Sequence, residues 1–123
     1  MIIGVGTDLC RISRMDDLLN DGAFLKRYYD EEEQAYILSR GKMAAASMAS
    51  HFAAKEAFSK AVGTGFYGIK PRDIGIRHRE NGAPYYVLND TAKMIAEQAG
   101  VKHAHLSLSH EGGLAVAFAV LEG

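Results

Sequence analysis

The sequence predicts an α+β domain in which a mostly antiparallel sheet packs on one long central helix. Three observations carry that prediction. Residues 42–62, KMAAASMASHFAAKEAFSKAV, are dense in helix-favouring Ala, Lys and Glu and end at Gly63. Asn81-Gly82 separates two short alternating segments, a strong hairpin signal. Two further apolar segments, 103–109 and 114–121, meet at Glu111-Gly112-Gly113.

The elements follow in chain order. Ile2–Asp8 reads as a short buried strand ending in an acid. Ser13 is placed to cap a short helix carrying Met15, Leu18 and Leu19, which Asp21-Gly22 breaks. Phe24, Leu25, Tyr28 and Tyr29 form a second amphipathic turn. Asp30 caps a helix that opens on three glutamates, favoured there by the helix dipole, and Asp30–Glu33 reads as a solvated helix start. The central helix, at ~1.5 Å per residue, is about 30 Å long. After the loop 63–68, Asp73–Glu80 alternates Ile74 and Ile76 with Arg77 and Arg79, and 84–88 returns beside it. Asn89 or Asp90 caps a helix running to Gly100.

Composition bounds the function. The 123 residues fit one domain over 1–123. With 14 Lys and Arg against 15 Asp and Glu the net charge is −1, so nucleic-acid or membrane binding would require a local basic patch. No apolar run reaches ~18 residues, and the first residues lack the basic region of a signal peptide. Cys10 is the single cysteine, which suits a reducing cytoplasm.

Four segments carry candidate chemistry. On a pleated strand Ile2, Gly4, Gly6 and Asp8 share one side, and the two glycines leave room for another backbone. Asp8 then either sits at the mouth of that contact or simply opens a turn. Phe52, Glu56 and Lys60 share a helical face flanked by alanines: a small-walled recess, or a solvated i,i+4 pair. In Leu106-Ser-Leu-Ser-His110 the serines face away from His110, so a nucleophile–base pair is geometrically poor; His103 and His105 lack a third ligand for zinc. Gly63-Thr-Gly65-Phe-Tyr-Gly68 matches GxGxxG by letter but follows a helix, which removes the dinucleotide context and leaves a loop able to touch phosphate. Arg11, Arg14, Lys26 and Arg27 form a modest basic cluster.

Taken together, Gly4-Val-Gly-Thr-Asp8 with Arg14, Phe52-Ala-Ala-Lys-Glu56-Ala-Phe-Ser-Lys60-Ala with Gly63-Thr-Gly65, and Ser107-Leu-Ser-His110 resemble the signatures of the holo-acyl-carrier-protein synthases, the small 4′-phosphopantetheinyl transferases, over essentially the whole chain. The resemblance implies Mg²⁺-dependent transfer of 4′-phosphopantetheine from coenzyme A to a serine of apo acyl carrier protein, with adenosine 3′,5′-bisphosphate leaving. It implies that Asp8 and Glu56 hold the metal and that Lys60 reaches the diphosphate. Lys60, Gly63, Gly65, His110, His51 and Lys42 would contact coenzyme A, and Arg14, Phe24 and Arg27 would dock the carrier protein. It also implies a homotrimer with sites shared between subunits. A metal-bound water or a carboxylate would take the serine proton. Two positions depart from the family pattern: His51 stands where Arg is common, and only Arg40 and Lys42 represent a basic stretch that is richer elsewhere. The rival readings are a non-catalytic coenzyme A-binding regulatory module and a structural trimeric adaptor.

Overall fold

A computed structural model describes residues 1–123. Strand β1 (Ile2–Arg11) pairs antiparallel with β5 (Leu114–Glu122), which pairs antiparallel with β4 (His103–Glu111), giving a three-stranded sheet of order β1-β5-β4. Four helices cover 15–62: α1 (Met15–Leu18), α2 (Gly22–Tyr28), α3 (Glu31–Leu38) and α4 (Ala44–Val62). The hairpin β2 (Ile74–His78) and β3 (Pro84–Leu88) and helix α5 (Asp90–Gln98) complete the chain. The expected α+β class and central helix are present.

The packing of α4 on β1 follows from the two strand glycines. A Cβ built on Gly4 would lie 1.9 Å from the Ala61 main-chain oxygen, and one on Gly6 would lie 2.0 Å from that of Ala57. Only glycine allows the helix backbone to come this close. The alanines of α4 complete the contact, and β5 offers Ala115, Ala117 and Ala119 to the same core. Gly63 ends α4 in the left-handed conformation, φ 89°. Larger side chains, among them Phe58, Met48, Ile74 and Leu121, are fully buried in the same core. Tyr29 donates to the Met48 carbonyl at 3.0 Å and Tyr86 to that of Ala54 at 2.6 Å, so both buried hydroxyls are paired.

Several local expectations are corrected. The sheet is two sheets: β2–β3 pairs only with itself and lies beside β4 without ladder bonds. β1 runs past Asp8 to Arg11, and a register shift between Ile2 and Gly4 breaks the alternation and leaves Ile2 exposed. Ser13 caps nothing, because it lies inside a 3₁₀ turn, Ile12–Arg14, ahead of α1. Asp73 is not a strand residue but ends a 3₁₀ turn, Pro71–Asp73. Asn89 does hold the N-cap position of α5 but makes no side-chain cap bond; the Asp73 carboxylate serves instead, accepting from the Thr91 main-chain N–H at 3.1 Å and from its hydroxyl. The Asn81-Gly82 turn is a longer loop closed by Arg79 and Ala83, with Gly82 at φ 90°. Asp30 does cap α3, in a reciprocal box with Glu33. Glu33 itself is fully buried, so the start of α3 is no solvated run of acids.

Candidate active site

Asp8 and Lys60 meet where β1 crosses the C-terminal half of α4. Lys60 Nζ donates to Asp8 Oδ1 at 3.0 Å and to the Thr7 carbonyl at 3.0 Å. The Asp8 side chain is only 15% exposed and that of Lys60 52%, so the ammonium group faces solvent while the carboxylate lies in the recess. Glu56, one helical turn before Lys60, has no donor on its carboxylate. Burial and the nearby Asp8 charge raise its pKa, opposed by Lys60 and Arg14. The site thus offers two oxygen-donor carboxylates, close enough for the Asp8 charge to act on Glu56, beside one lysine. That donor set fits a hard divalent ion such as Mg²⁺, which commonly takes one or two carboxylates and completes its shell with water and phosphate.

An aromatic shelf borders this recess. Tyr28 stacks between Phe24 and Phe52, with ring centroids 4.9 and 5.1 Å away, and Phe66 meets it edge-on at 6.2 Å. The Arg14 guanidinium lies 4.9 Å from the centre of the Phe52 ring. Burial, reinforced by the Glu56 charge, pushes the Tyr28 hydroxyl up to about 12, so it keeps its proton at neutral pH. Arg14, Phe24 and Arg27 therefore gather around Tyr28.

A second feature lies at the other end of α4. A cavity of about 300 Å³ is bounded by Tyr36, Arg40, Ser50, His78, Gly82 and His110, among others. His51 also borders it, but is fully buried with both ring nitrogens engaged: Nδ1 2.9 Å from Glu33 Oε2 and Nε2 2.9 Å from His78 Nε2. Lys42 is exposed on the 3₁₀ turn Gly41–Met43, outside this lining. Gly63 and Gly65 both adopt positive φ beyond the C-terminal end of α4. At ~100° per residue, the α4 residues of the cavity wall (Ala46, Ser47, Ser50 and His51) centre roughly 130° around the helix from Glu56 and Lys60, and at ~1.5 Å per residue the two sets lie roughly 14 Å apart along it. One chain thus presents its two sets of candidate residues at different heights and on different sides of one helix.

Reading the sequence alone missed the polar core between these features. Lys55 is fully buried, and its ammonium donates to Glu33 Oε1 at 2.7 Å, to the Ile74 carbonyl at 2.7 Å and to the Pro71 carbonyl at 3.0 Å. All three donors are used. Tyr36 stacks on His51 and His78, with ring centroids 5.5 and 4.4 Å away. No local signal marks it: Lys55 stands directly before Glu56 in an alanine-rich helix, where a lysine ordinarily lies on a solvated face.

A recess of this type, carried by this fold, belongs to group-transfer enzymes, and comparison with known proteins gives the family. The model of the 4′-phosphopantetheinyl transferase superfamily matches residues 4–119, and the chain belongs to that superfamily. Within it the likeness is to holo-[acyl-carrier-protein] synthases. That of Treponema denticola is 43% identical over 123 residues, all of both chains. The crystal structure of the Neisseria meningitidis enzyme superposes with a TM-score of 0.90 at 37% identity and covers both chains completely. The Bacillus anthracis enzyme, described in complex with CoA (3′,5′-ADP), superposes at 0.82 and 34% identity, over 99% of this chain and 97% of its own.

Proposed function

We propose that the chain transfers 4′-phosphopantetheine from coenzyme A to a serine of apo acyl carrier protein and releases adenosine 3′,5′-bisphosphate. The observation that carries this reading is the Asp8–Glu56 carboxylate pair with Lys60 held over Asp8, in a chain of this superfamily. Asp8 and Glu56 would hold Mg²⁺, which when bound supplies positive charge to the diphosphate of coenzyme A. Lys60 adds a second positive charge. Its 52% exposure leaves the ammonium free to turn from Asp8 toward a phosphate and to offset charge gathering on the leaving group. The raised pKa of Glu56 reflects its burial first and repulsion from Asp8 second, and a bound cation would offset both.

Coenzyme A would lie between subunits. The cavity bounded by Arg40 and His110 and the carboxylate recess are set apart along and around α4, so a site that needs both would be completed by a neighbouring chain. The outer face of the three-stranded sheet supports self-association: Val5, Leu9 and Phe118 are 56%, 63% and 47% exposed on one face, continued by Ile3 and Leu114. A homotrimer sharing sites between subunits fits this arrangement. The Gly63–Gly65 loop, His110 and Lys42 would contact coenzyme A, while His51 would act through His78. Arg14, Phe24 and Arg27 would meet the acidic carrier protein, in the cytoplasm. No helix is long and apolar enough to cross a membrane.

A thermal-shift series tests the metal and ligand assignments. Mg²⁺ with coenzyme A raises the melting temperature of the parent chain, and Asp8→Ala removes the Mg²⁺-dependent part. Binding of coenzyme A without any Mg²⁺-dependent turnover would favour a regulatory module, and no shift at all would favour a structural adaptor. Sedimentation velocity tests the trimer: a monomer at micromolar concentration would overturn the shared-site reading.

A further inference from the structure

Glu33, His51 and His78 form a chain of hydrogen bonds from the buried core to the turn that walls the cavity, and the direction of each bond follows from its partners. Glu33 Oε1 accepts from the Lys55 ammonium at 2.7 Å and from the Asp30 main-chain N–H at 3.2 Å, which marks Glu33 as a carboxylate that only accepts. His51 Nδ1, 2.9 Å from Glu33 Oε2, therefore carries a hydrogen and donates it. In a neutral ring His51 Nε2 is then bare and accepts from His78 Nε2–H across 2.9 Å. A neutral His78 is left with a bare Nδ1, which points at the Gly82 carbonyl oxygen 3.4 Å away. Two acceptors face each other at that one place. A single added proton, carried as Nδ1–H on His78, turns the mismatch into a hydrogen bond to Gly82.

We propose that His51 and His78 act as one proton-accepting unit that couples protonation of the cavity wall to the position of the Asn81–Gly82 turn and to the hold on an anion in the cavity. The reacting groups at Asp8 and Glu56 lie elsewhere, so His78 is a positioning residue. This inference rests on the coenzyme A reading above only for the identity of the anion.

The surroundings fix the direction of the response. The charged and titratable groups around the pair are Glu32, Glu33, Tyr36 and Asp30 from α3 and its cap, Lys55 from α4, Arg40 beyond α3, Arg77 beside His78 on β2, Tyr85 on β3, and His110 across the cavity. Lys55 and Glu33 cancel one another by direct contact, and Arg77 is shared between Asp30 at 2.8 Å and Glu32 at 2.9 Å, the Glu32 side chain being largely exposed to solvent. Arg40 is the cation left without a carboxylate partner, its guanidinium 5.2 Å from the centre of the Tyr36 ring that stacks on His78. Burial holds both imidazoles below the ordinary histidine range, and His51 and Arg40 lower His78 further by like charge. Both shifts run downward, so the pair is neutral at pH 7.5 and takes its proton only in acid. An anion beside Arg40 favours that proton, and by reciprocity the proton strengthens the anion's binding. Gly82 lies in the wall of the same cavity, so the bond that His78 then donates draws the turn inward.

The test has two arms. In the first, nitrogen-15 spectra of the unmodified chain without ligand are followed from pH 7.5 to 4.5. We expect His78 as the Nε2–H tautomer at pH 7.5 and one proton taken up by the two rings together. That proton protonates Nδ1 of His78 and shifts the Gly82 and Ala83 amides with the same midpoint. Nδ1–H already present on His78 at pH 7.5, or two independent ring titrations, overturns the inference. In the second arm, calorimetry measures adenosine 3′,5′-bisphosphate binding at pH 7.5 and 5.5 for the parent chain and for His78→Gln, whose amide still donates to His51 but cannot titrate. Protonation of the probe is common to both proteins. The parent's affinity should rise roughly fivefold or more relative to the variant across that interval. An identical pH dependence in the two overturns the coupling. Failure of both proteins to bind the probe at either pH overturns the coenzyme A reading, and the first arm then decides the relay by itself.

Discussion

Gly6→Ala is the sharpest structural perturbation of the site. An added Cβ would lie 2.0 Å from the Ala57 carbonyl oxygen and 2.8 Å from the Ala61 main-chain nitrogen. Real Cβ contacts stay beyond 3.0 Å, so β1 and α4 must separate by about 1 Å, and both obstacles are backbone that no rotamer change can move. Overpacking of this kind costs typically 1–3 kcal/mol, and the upper end applies to a backbone clash. The alanine returns about 0.4–1 kcal/mol by restricting the unfolded chain. The net loss is about 2 kcal/mol, a fall in melting temperature of roughly 6–10 °C for a chain of this size. The same displacement lifts Glu56 and Lys60, on α4, away from Asp8, on β1, and misplacement of about 1 Å costs on the order of 10²-fold in rate. Gly22→Ala is the control, because its Cβ would meet nothing within 4 Å and Gly22 opens α2. It should leave turnover intact and raise the melting temperature slightly. Calorimetric melting together with carrier-protein modification kinetics reads both variants. A Gly6→Ala chain that melts within 2 °C of the parent and turns over normally would refute the close-contact account of this site.

Three further outcomes follow from the same geometry. Lys55→Met strands the Glu33 charge in the core and should cost roughly 3–5 kcal/mol in urea unfolding, and adding Glu33→Gln should recover more than half of it. Glu56→Gln should raise the melting temperature at pH 7.5 while abolishing transfer. The folded-state pKa of Glu56 is raised, so its ionised form is disfavoured, and the gain should vanish near pH 4, where the parent's own carboxyl is protonated. Lys60→Ala should reduce kcat about 10²–10³-fold with a nearly unchanged melting temperature, because the side chain is half exposed; stopped-flow or discontinuous modification assays measure it.

What the sequence showed and what it hid divide along sequence separation. The α4 alanines, the strand glycines and the Gly112-Gly113 turn declare themselves locally, because each meets a steric demand of its own backbone. Asp8, Glu56 and Lys60 stand out because they lie beside those small residues. The Glu33–Lys55–His51–His78 core was not legible. Its partners are separated by 18 to 27 residues and meet only once α3 and β2 pack on α4. Glu33 also sits in a run of acids that is ordinary at a helix start, so nothing local marks it as buried. The Asp73 cap on α5 was hidden for the same reason, since it reaches 18 residues forward to Thr91. The two-sheet arrangement was hidden too: alternation marks strands but does not say which edges pair.

The central claim is that Asp8, Glu56 and Lys60 form the site of a phosphopantetheinyl transfer. The measurement that bears on it most directly is intact-protein mass spectrometry of an apo acyl carrier protein after incubation with the chain, coenzyme A and Mg²⁺. The account predicts a phosphopantetheine adduct on one serine that depends on Mg²⁺ and is lost in folded Asp8→Ala and Glu56→Ala variants. No adduct on several carrier proteins, or full adduct formation by either variant, would contradict it.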